Sequence, residues 1–194
     1  MEEKDLQKDF LSLTNKRWKL KNFDERETEN ISQNFGFSYL LAKLFNIRKI
    51  NISDIDQYIN PSLKDHMPDP YNLVDMEKAC SRIYDSISND EKIAIFGDYD
   101  VDGSTSTSII INYFRSLGIE VEYHIPNRFT EGYGPNKDIF SKFKKNRVKV
   151  IITVDCGTMS YDEMKFAKNE GLDVIVLDHH QPEITLPEAY AIVN

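Results

Sequence analysis

Cysteine is nearly missing from this sequence: Cys80 and Cys156 are its only two in 194 residues, far apart and without a CxxC spacing. That excludes a disulfide-stapled secreted fold and a thiolate zinc site, and it suits free thiols in a reducing cytosol. The expected location is therefore cytoplasmic. Long apolar runs are lacking too. None approaches the ~20 residues a membrane span requires, so no membrane partner is expected, and the N-terminus MEEKDLQKDF has no apolar stretch of the kind that opens a secretory signal. Nor is there a basic excess. Lys and Arg number 24 against 32 Asp and Glu, a net charge of −8. This argues against gripping nucleic acid by bulk attraction. It leaves room for an enzyme acting on nucleic acid, because a site built from carboxylates carries its own negative charge until metal ions neutralise it. Internal repeats and low-complexity tracts are absent as well.

What remains is enough chain for one sizeable core with a small appendage. The first thirty or so residues mix charges with isolated apolar side chains (Leu11, Leu13, Trp18, Phe23) and read as an arm. Apolar spacing over Phe37–Ile47 predicts a short helix. Asn60-Pro61, Met67-Pro68 and Asp69-Pro70 then punctuate a loop. Met76, Ala79, Cys80, Ile83 and Ile87 recur at helical spacing, predicting a helix over about 75–88 with Asp75 as its cap.

At Lys92 the pattern changes. IAIF (93–96), VEYHI (121–125), VIITV (150–154) and VIVL (174–177) are short β-rich runs. Helical stretches at about 104–117, 136–146 and 160–170 separate them, with Gly118 and Gly171 where helix C-caps belong. Strands alternating with helices predict βαβ units and a parallel α/β sheet. The expected division is an arm and helical region over 1–90 and a catalytic domain over 91–194. A last β-like run, AYAIV (189–193), ends beside Asn194, and such a sheet is expected to continue, leaving the domain C-terminally incomplete.

Three of these strands run into acid or imidazole: Gly97-Asp98-Tyr99-Asp100-Val101-Asp102-Gly103, Asp155-Cys156-Gly157 and Asp178-His179-His180. In an open parallel sheet the C-terminal strand ends share one edge, where ligands bind. Segments distant in sequence should therefore converge. Crowded carboxylates repel unless some protonate or a cation lies among them. Asp and His together, without thiolates, suit Mn²⁺ or Mg²⁺, the imidazole favouring Mn²⁺. DxDxDG also opens an EF-hand loop, but the twelfth position from Asp98 is Ile109 rather than glutamate, and the loop follows a strand. For any one loop, turn and capping chemistry is an alternative; three acidic strand ends on one edge weigh against it. His66 and His124 read as structural. The run Lys142, Lys144, Lys145, Arg147 and Lys149 reads as a solvated face.

GDYDVDG, VDCG and DHH, in this order and at strand ends, resemble the first three motifs of the DHH phosphoesterases. FGDYDVDGSTST, IPNRFTEGYG and LPEAYAIVN resemble the RecJ branch, single-strand-specific exonucleases, from about Phe37 to the last residue. The resemblance implies a Rossmann-like DHH domain preceded by a small helical region. It implies 5′–3′ hydrolysis of single-stranded DNA in recombination and repair, with two Mn²⁺ or Mg²⁺ ions per complete site. It implies that Asp100, Asp102, Asp155 and His179 are metal ligands, with Asp155 bridging, and that His180 contacts the scissile phosphate. Asp98 ligates a metal or orients a ligand or water, and Asp178 is structural or supports the ligands.

Two further residues are substrate-binding candidates. Arg128 suits a backbone phosphate, or else a surface ion pair. Tyr133 suits stacking on a base, or packing under its own loop. Single-strand-binding proteins and helicases are partners the resemblance implies. A fourth-motif aspartate and a second domain are expected beyond Asn194, so residues 1–194 alone are expected to be inactive. Alternatives are a DHH phosphodiesterase acting on oligonucleotides or cyclic dinucleotides, a non-catalytic nucleic-acid scaffold on the same fold, and a receiver with a phospho-accepting aspartate.

Overall fold

Residues 10–19 and 21–194 are described by a computed structural model, in which the chain divides into two compact units, Met1–Met67 and Pro68–Asn194. Residues 1–9 and 20 of the expected arm lie outside the described residues.

In the first unit, β1 (Phe10–Leu11) pairs antiparallel with β2 (Arg17–Trp18). The arm expectation fails beyond them, because residues 25–35 form a helix, α1 (Glu25–Phe35). Local chemistry explains it. Asp24 Oδ1 accepts the Glu27 N–H at 2.9 Å, and Gly36 closes the helix in the left-handed region at φ 67°. Only Thr28 and Ile31 of α1 are buried, too few apolar positions to show as periodicity in the sequence. α2 (Tyr39–Ile47), a 3₁₀ turn (Ile52–Asp54), α3 (Ile55–Ile59) and α4 (Leu63–His66) follow. Ile31, Ala42, Phe45 and Ile55 form this unit's core.

The second unit opens on a 3₁₀ turn (Pro70–Asn72) and α5 (Met76–Ser88). Then come β3 (Lys92–Phe96), α6 (Val101–Ser116), β4 (Glu122–His124), α7 (Lys137–Lys145) and β5 (Val148–Val154). α8 (Tyr161–Asn169), β6 (Asp173–Leu177) and β7 (Ala191–Val193) complete it. The five strands are all parallel, ordered β4-β3-β5-β6-β7. Alternation along the strands divides their side chains between two cores. Ala94, Phe96, Ile151, Val174, Val176 and Ile192 pack against Phe140 and Phe143 of α7 and Met164 and Ala167 of α8. Ile93, Ile95, Val150, Ile152, Ile175 and Val193 pack on the opposite face with Ala79 of α5 and Phe114 of α6. Helices cover both faces, which is why the strands read as nearly continuous apolar runs. Each fully buried Phe or Ile contributes about 1.5–3 kcal/mol.

Two local expectations change. α6 starts at Val101 rather than near Ser104, because Asp100 caps it by accepting the Gly103 N–H at 2.9 Å. Asp102 and Gly103 are thus already helical. Asp75 does not cap α5. It sits at φ 60°, and its Oδ2 instead accepts the Ile192 N–H of edge strand β7 at 3.1 Å. Gly118 and Gly171 do take left-handed conformations, at φ 74° and 68°, just after α6 and α8.

Candidate metal centre

The sheet order reverses between β3 and β5: the first strand of the unit lies beside the third, with the second on the far side of the first. Connections leave such a switch point in opposite directions and open a crevice at the C-terminal strand ends. Asp98 and Asp100 follow β3, Asp155 follows β5, and His179 and His180 follow β6.

These residues meet. One carboxylate oxygen each from Asp98, Asp100 and Asp155 lie within 4.8 Å of one another, and so do ligand atoms of Asp155, His179 and His180. Asp155 belongs to both groups. It stands at φ 61°, a left-handed conformation a side chain adopts at a cost of order 1–3 kcal/mol. Its N–H donates to Leu177 O at 2.9 Å, and its Oδ1 lies 3.0 Å from His179 Nε2. Asp155 is buried and the His179 ring is exposed.

The electrostatics match a site suited to a cation. Burial pushes the Asp98 carboxyl above its ordinary value, and the charge on Asp100 adds to this. Asp155 is likewise raised, by burial first and then by Asp100. Asp100 itself is lowered, chiefly by the Gly103 N–H at its helix start. Asp98 is 1% exposed and its Oδ1 has no hydrogen-bond partner. A buried carboxylate oxygen without a partner is costly, and a hard divalent cation satisfies it. With oxygen and imidazole donors and no thiolate in either group, the residues fit Mn²⁺ or Mg²⁺.

Asp178 holds the His180 imidazole and the backbone of His179 in place. Its Oδ1 accepts the His179 N–H at 2.8 Å and lies 2.7 Å from His180 Nδ1, while Oδ2 accepts the Thr158 N–H at 3.0 Å. Burial alone would raise this carboxyl, yet hydrogen bonds from His180 and Thr158 hold it at about 2. The same bond raises the His180 imidazole above its ordinary value. From the end of β7, Asn194 Nδ2 donates to Thr158 Oγ1 at 3.0 Å and to His180 O at 2.9 Å. Thr158 and Asn194 carry no sequence signal for this role, since only the folded sheet brings their loops together.

Tyr133 reaches the centre from the β4–α7 loop. Its hydroxyl donates to Asp155 O at 3.3 Å and lies 3.4 Å from His180 Nδ1. Its ring meets His180 edge-on at 5.9 Å and Tyr99 at 6.4 Å. Arg128 stands over the Tyr99 ring at 5.3 Å, close enough to lower Asp98 electrostatically. Tyr99, which the motif presents only as a spacer between aspartates, therefore links Arg128 to the cluster. Neither group of converging ligand atoms includes Asp102, which lies exposed in the first turn of α6. Beside Asp155 and His179 is an open cleft of about 540 Å³, lined also by Leu73, Met76, Leu177 and Val193. Ile192 and Val193 themselves are buried, at 7% and 5% exposure.

Residues 92–194 match the N-terminal domain of the DHH family. The single-stranded-DNA-specific exonuclease RecJ of Bacillus subtilis is 38% identical over 178 residues, 92% of this chain and 23% of that protein. The RecJ of Escherichia coli is 36% identical over 156 residues, 80% of this chain and 26% of that protein. The chain thus spans about a quarter of the length of these curated relatives. Among solved structures, exonuclease RecJ bound to manganese matches with a TM-score of 0.57 at 32% identity, over 62% of this chain and 31% of that one. RecJ in complex with Mn²⁺ from Thermus thermophilus matches in fold, with a TM-score of 0.60 at 22% identity over 89% of this chain and 24% of that one. The family match covers over half of the chain and takes in all three acidic strand ends, and on that ground the chain belongs to the DHH family.

Proposed function

We propose that this protein hydrolyses phosphodiester bonds of single-stranded DNA from the 5′ end, using two divalent ions, Mn²⁺ or Mg²⁺. The observation that carries this reading is the meeting of Asp98, Asp100, Asp155, His179 and His180 at the switch point, with a buried oxygen of Asp98 left unpartnered. The names of the relatives, single-strand-specific exonucleases and manganese-bound structures, support the substrate and the ion.

Asp100, Asp155 and His179 hold the ions, Asp155 as the carboxylate common to both groups. Asp102, on the adjoining helical turn, is a further ligand on the strength of the family resemblance. When bound, such ions activate water and stabilise both oxygens of an in-line displacement at phosphorus. Asp98 orients a ligand or water. His180, held by Asp178 through Nδ1, presents its imidazole to the scissile phosphate as negative charge develops there. Arg128 binds a neighbouring phosphate. A cytoplasmic location accords with two free thiols. Proteins that bind or unwind single strands are proposed partners because they present the substrate.

The test is calorimetric Mn²⁺ binding to the chain and to Asp155→Asn, paired with nucleotide release from 5′- and 3′-labelled single strands by the intact protein. Metal-dependent release from the 5′ end, lost in Asp155→Asn together with Mn²⁺ binding, is the expected result. Unchanged Mn²⁺ affinity in Asp155→Asn would overturn the ligand assignment. Turnover of dinucleotides in preference to long strands would overturn the substrate assignment.

A further inference from the structure

Four residues before Tyr133, the turn after β4 displays Phe129 at 95% exposure, among the most exposed large apolar side chains of the described residues. Scattered exposed apolar residues are ordinary, but this one is held out on a turn built to keep its shape. Asn127 Oδ1 accepts the Phe129 N–H at 2.9 Å. Glu131 Oε1 accepts the Asn127 N–H at 2.9 Å, and Glu131 Oε2 lies 2.6 Å from His124 Nε2 at the end of β4. Thr130 N–H and Glu131 N–H both donate to Asn127 O. These bonds fix the backbone from which Phe129 projects.

Its neighbour Arg128 connects this turn to the metal centre. Arg128, next in the chain, lies over Tyr99; Tyr99 meets Tyr133 edge-on, and Tyr133 meets His180. A guanidinium and two tyrosine rings thus connect the metal centre to the turn that carries Phe129, in the loop after edge strand β4. A cation beside a solvent-exposed ring is the pairing that binds a nucleotide by both its parts, phosphate and base. Duplex DNA keeps its bases stacked inside, so only an unpaired base offers a free face to such a ring.

We propose that Phe129 forms a stacking subsite for one unpaired nucleobase of the DNA strand, beside the phosphate held by Arg128. The proposal rests on the single-strand reading above and deepens it: selectivity for unpaired DNA is set partly at this turn, away from the metals. Stacking of this kind tolerates any base, so the subsite discriminates base from no base and not one sequence from another.

The experiment crosses the ring with the base. Binding of a short oligothymidylate and of its abasic counterpart is measured at low salt for the intact parent protein and for its Phe129→Ala variant. The parent is expected to bind the base-bearing strand about tenfold more tightly than the abasic one, and Phe129→Ala to lose that difference while binding the abasic strand as the parent does. Phe129→Trp in a Trp18→Phe background, which removes the chain's single tryptophan, adds a direct signature: fluorescence quenched by the base-bearing strand and unchanged by the abasic one. If Phe129→Ala retains the parent's preference for bases, or the tryptophan is not quenched, the subsite is refuted while the single-strand reading stands. If the parent binds neither strand, the single-strand reading fails and the subsite with it.

Discussion

Gly103 lies in the first turn of α6, where replacing glycine with alanine ordinarily stabilises a helix by roughly 0.5–1 kcal/mol. Here the sign should reverse. A Cβ at Gly103 would stand 2.6 Å from both the backbone N and O of Asp98 and 2.7 Å from its carbonyl carbon. Uncrowded contacts need about 3.5 Å, so the helix start and the Asp98 loop must part by about 1 Å. These are backbone atoms, with no rotamer to yield. Overpacking of this kind costs about 1–3 kcal/mol, and straining the Asp100 cap on the Gly103 N–H adds up to about 1 kcal/mol. Net of the helix gain, Gly103→Ala should lose roughly 1–3 kcal/mol.

The same displacement moves Asp98 and Asp100 apart, so the stabilisation conferred by added Mn²⁺ should shrink as well. Urea unfolding with and without Mn²⁺, followed through amide exchange of Ile151 and Ile152, reports the sheet unit separately from the first. Gly118→Ala, at φ 74° with nothing within 4 Å of the added carbon, is the control for backbone strain without contact in the same unit. A Gly103→Ala chain as stable as the parent, with an undiminished Mn²⁺ increment, would show that the helix start does not press on the ligand loop.

Asp98→Asn should shift stability and metal binding in opposite directions. Removing a buried charge with one unpartnered oxygen stabilises the metal-free chain by about 1 kcal/mol, while Mn²⁺ affinity falls about tenfold or more; calorimetry and unfolding on the same samples check both. Glu131 is held below the usual carboxylate range by the Asn127 N–H, with His124 adding to it. A depressed folded-state value contributes stability that is complete above the unfolded value of about 4.3 and is lost as pH falls through the folded one. Glu131→Gln should therefore cost about 1 kcal/mol at pH 7 and approach the parent in acid, as urea midpoints across pH will show; a constant difference would mean that charge is irrelevant to the turn. Asp75→Ala should cost about 1–2 kcal/mol and speed amide exchange at Ile192, whereas Asp75→Asn, which keeps an acceptor, should do so far less.

The sheet could be read from the residues alone. Runs such as IAIF and VIITV are apolar enough to be strands covered on both faces, and the helices between them force parallel pairing, so Asp98, Asp155 and His179 had to share an edge. Local chemistry that the chain writes plainly also survived folding, as at Gly118 and Gly171, where a positive φ requires glycine.

Matters that depend on contacts between distant loops emerged with the folded chain. Asp75 looks like a helix cap from its neighbours, yet its carboxylate serves Ile192, 117 residues away. α1 was hidden because just two of its eleven residues are buried, leaving its caps to define it. Tyr99 gains its place from Arg128 and Tyr133, and Asn194 from Thr158 and His180, across the ends of neighbouring strands. Periodicity and motif spacing record which face a residue takes and which strand end it occupies. They carry no information on which loop lies opposite, because strand order is set by the packing of helices on the two faces of the sheet.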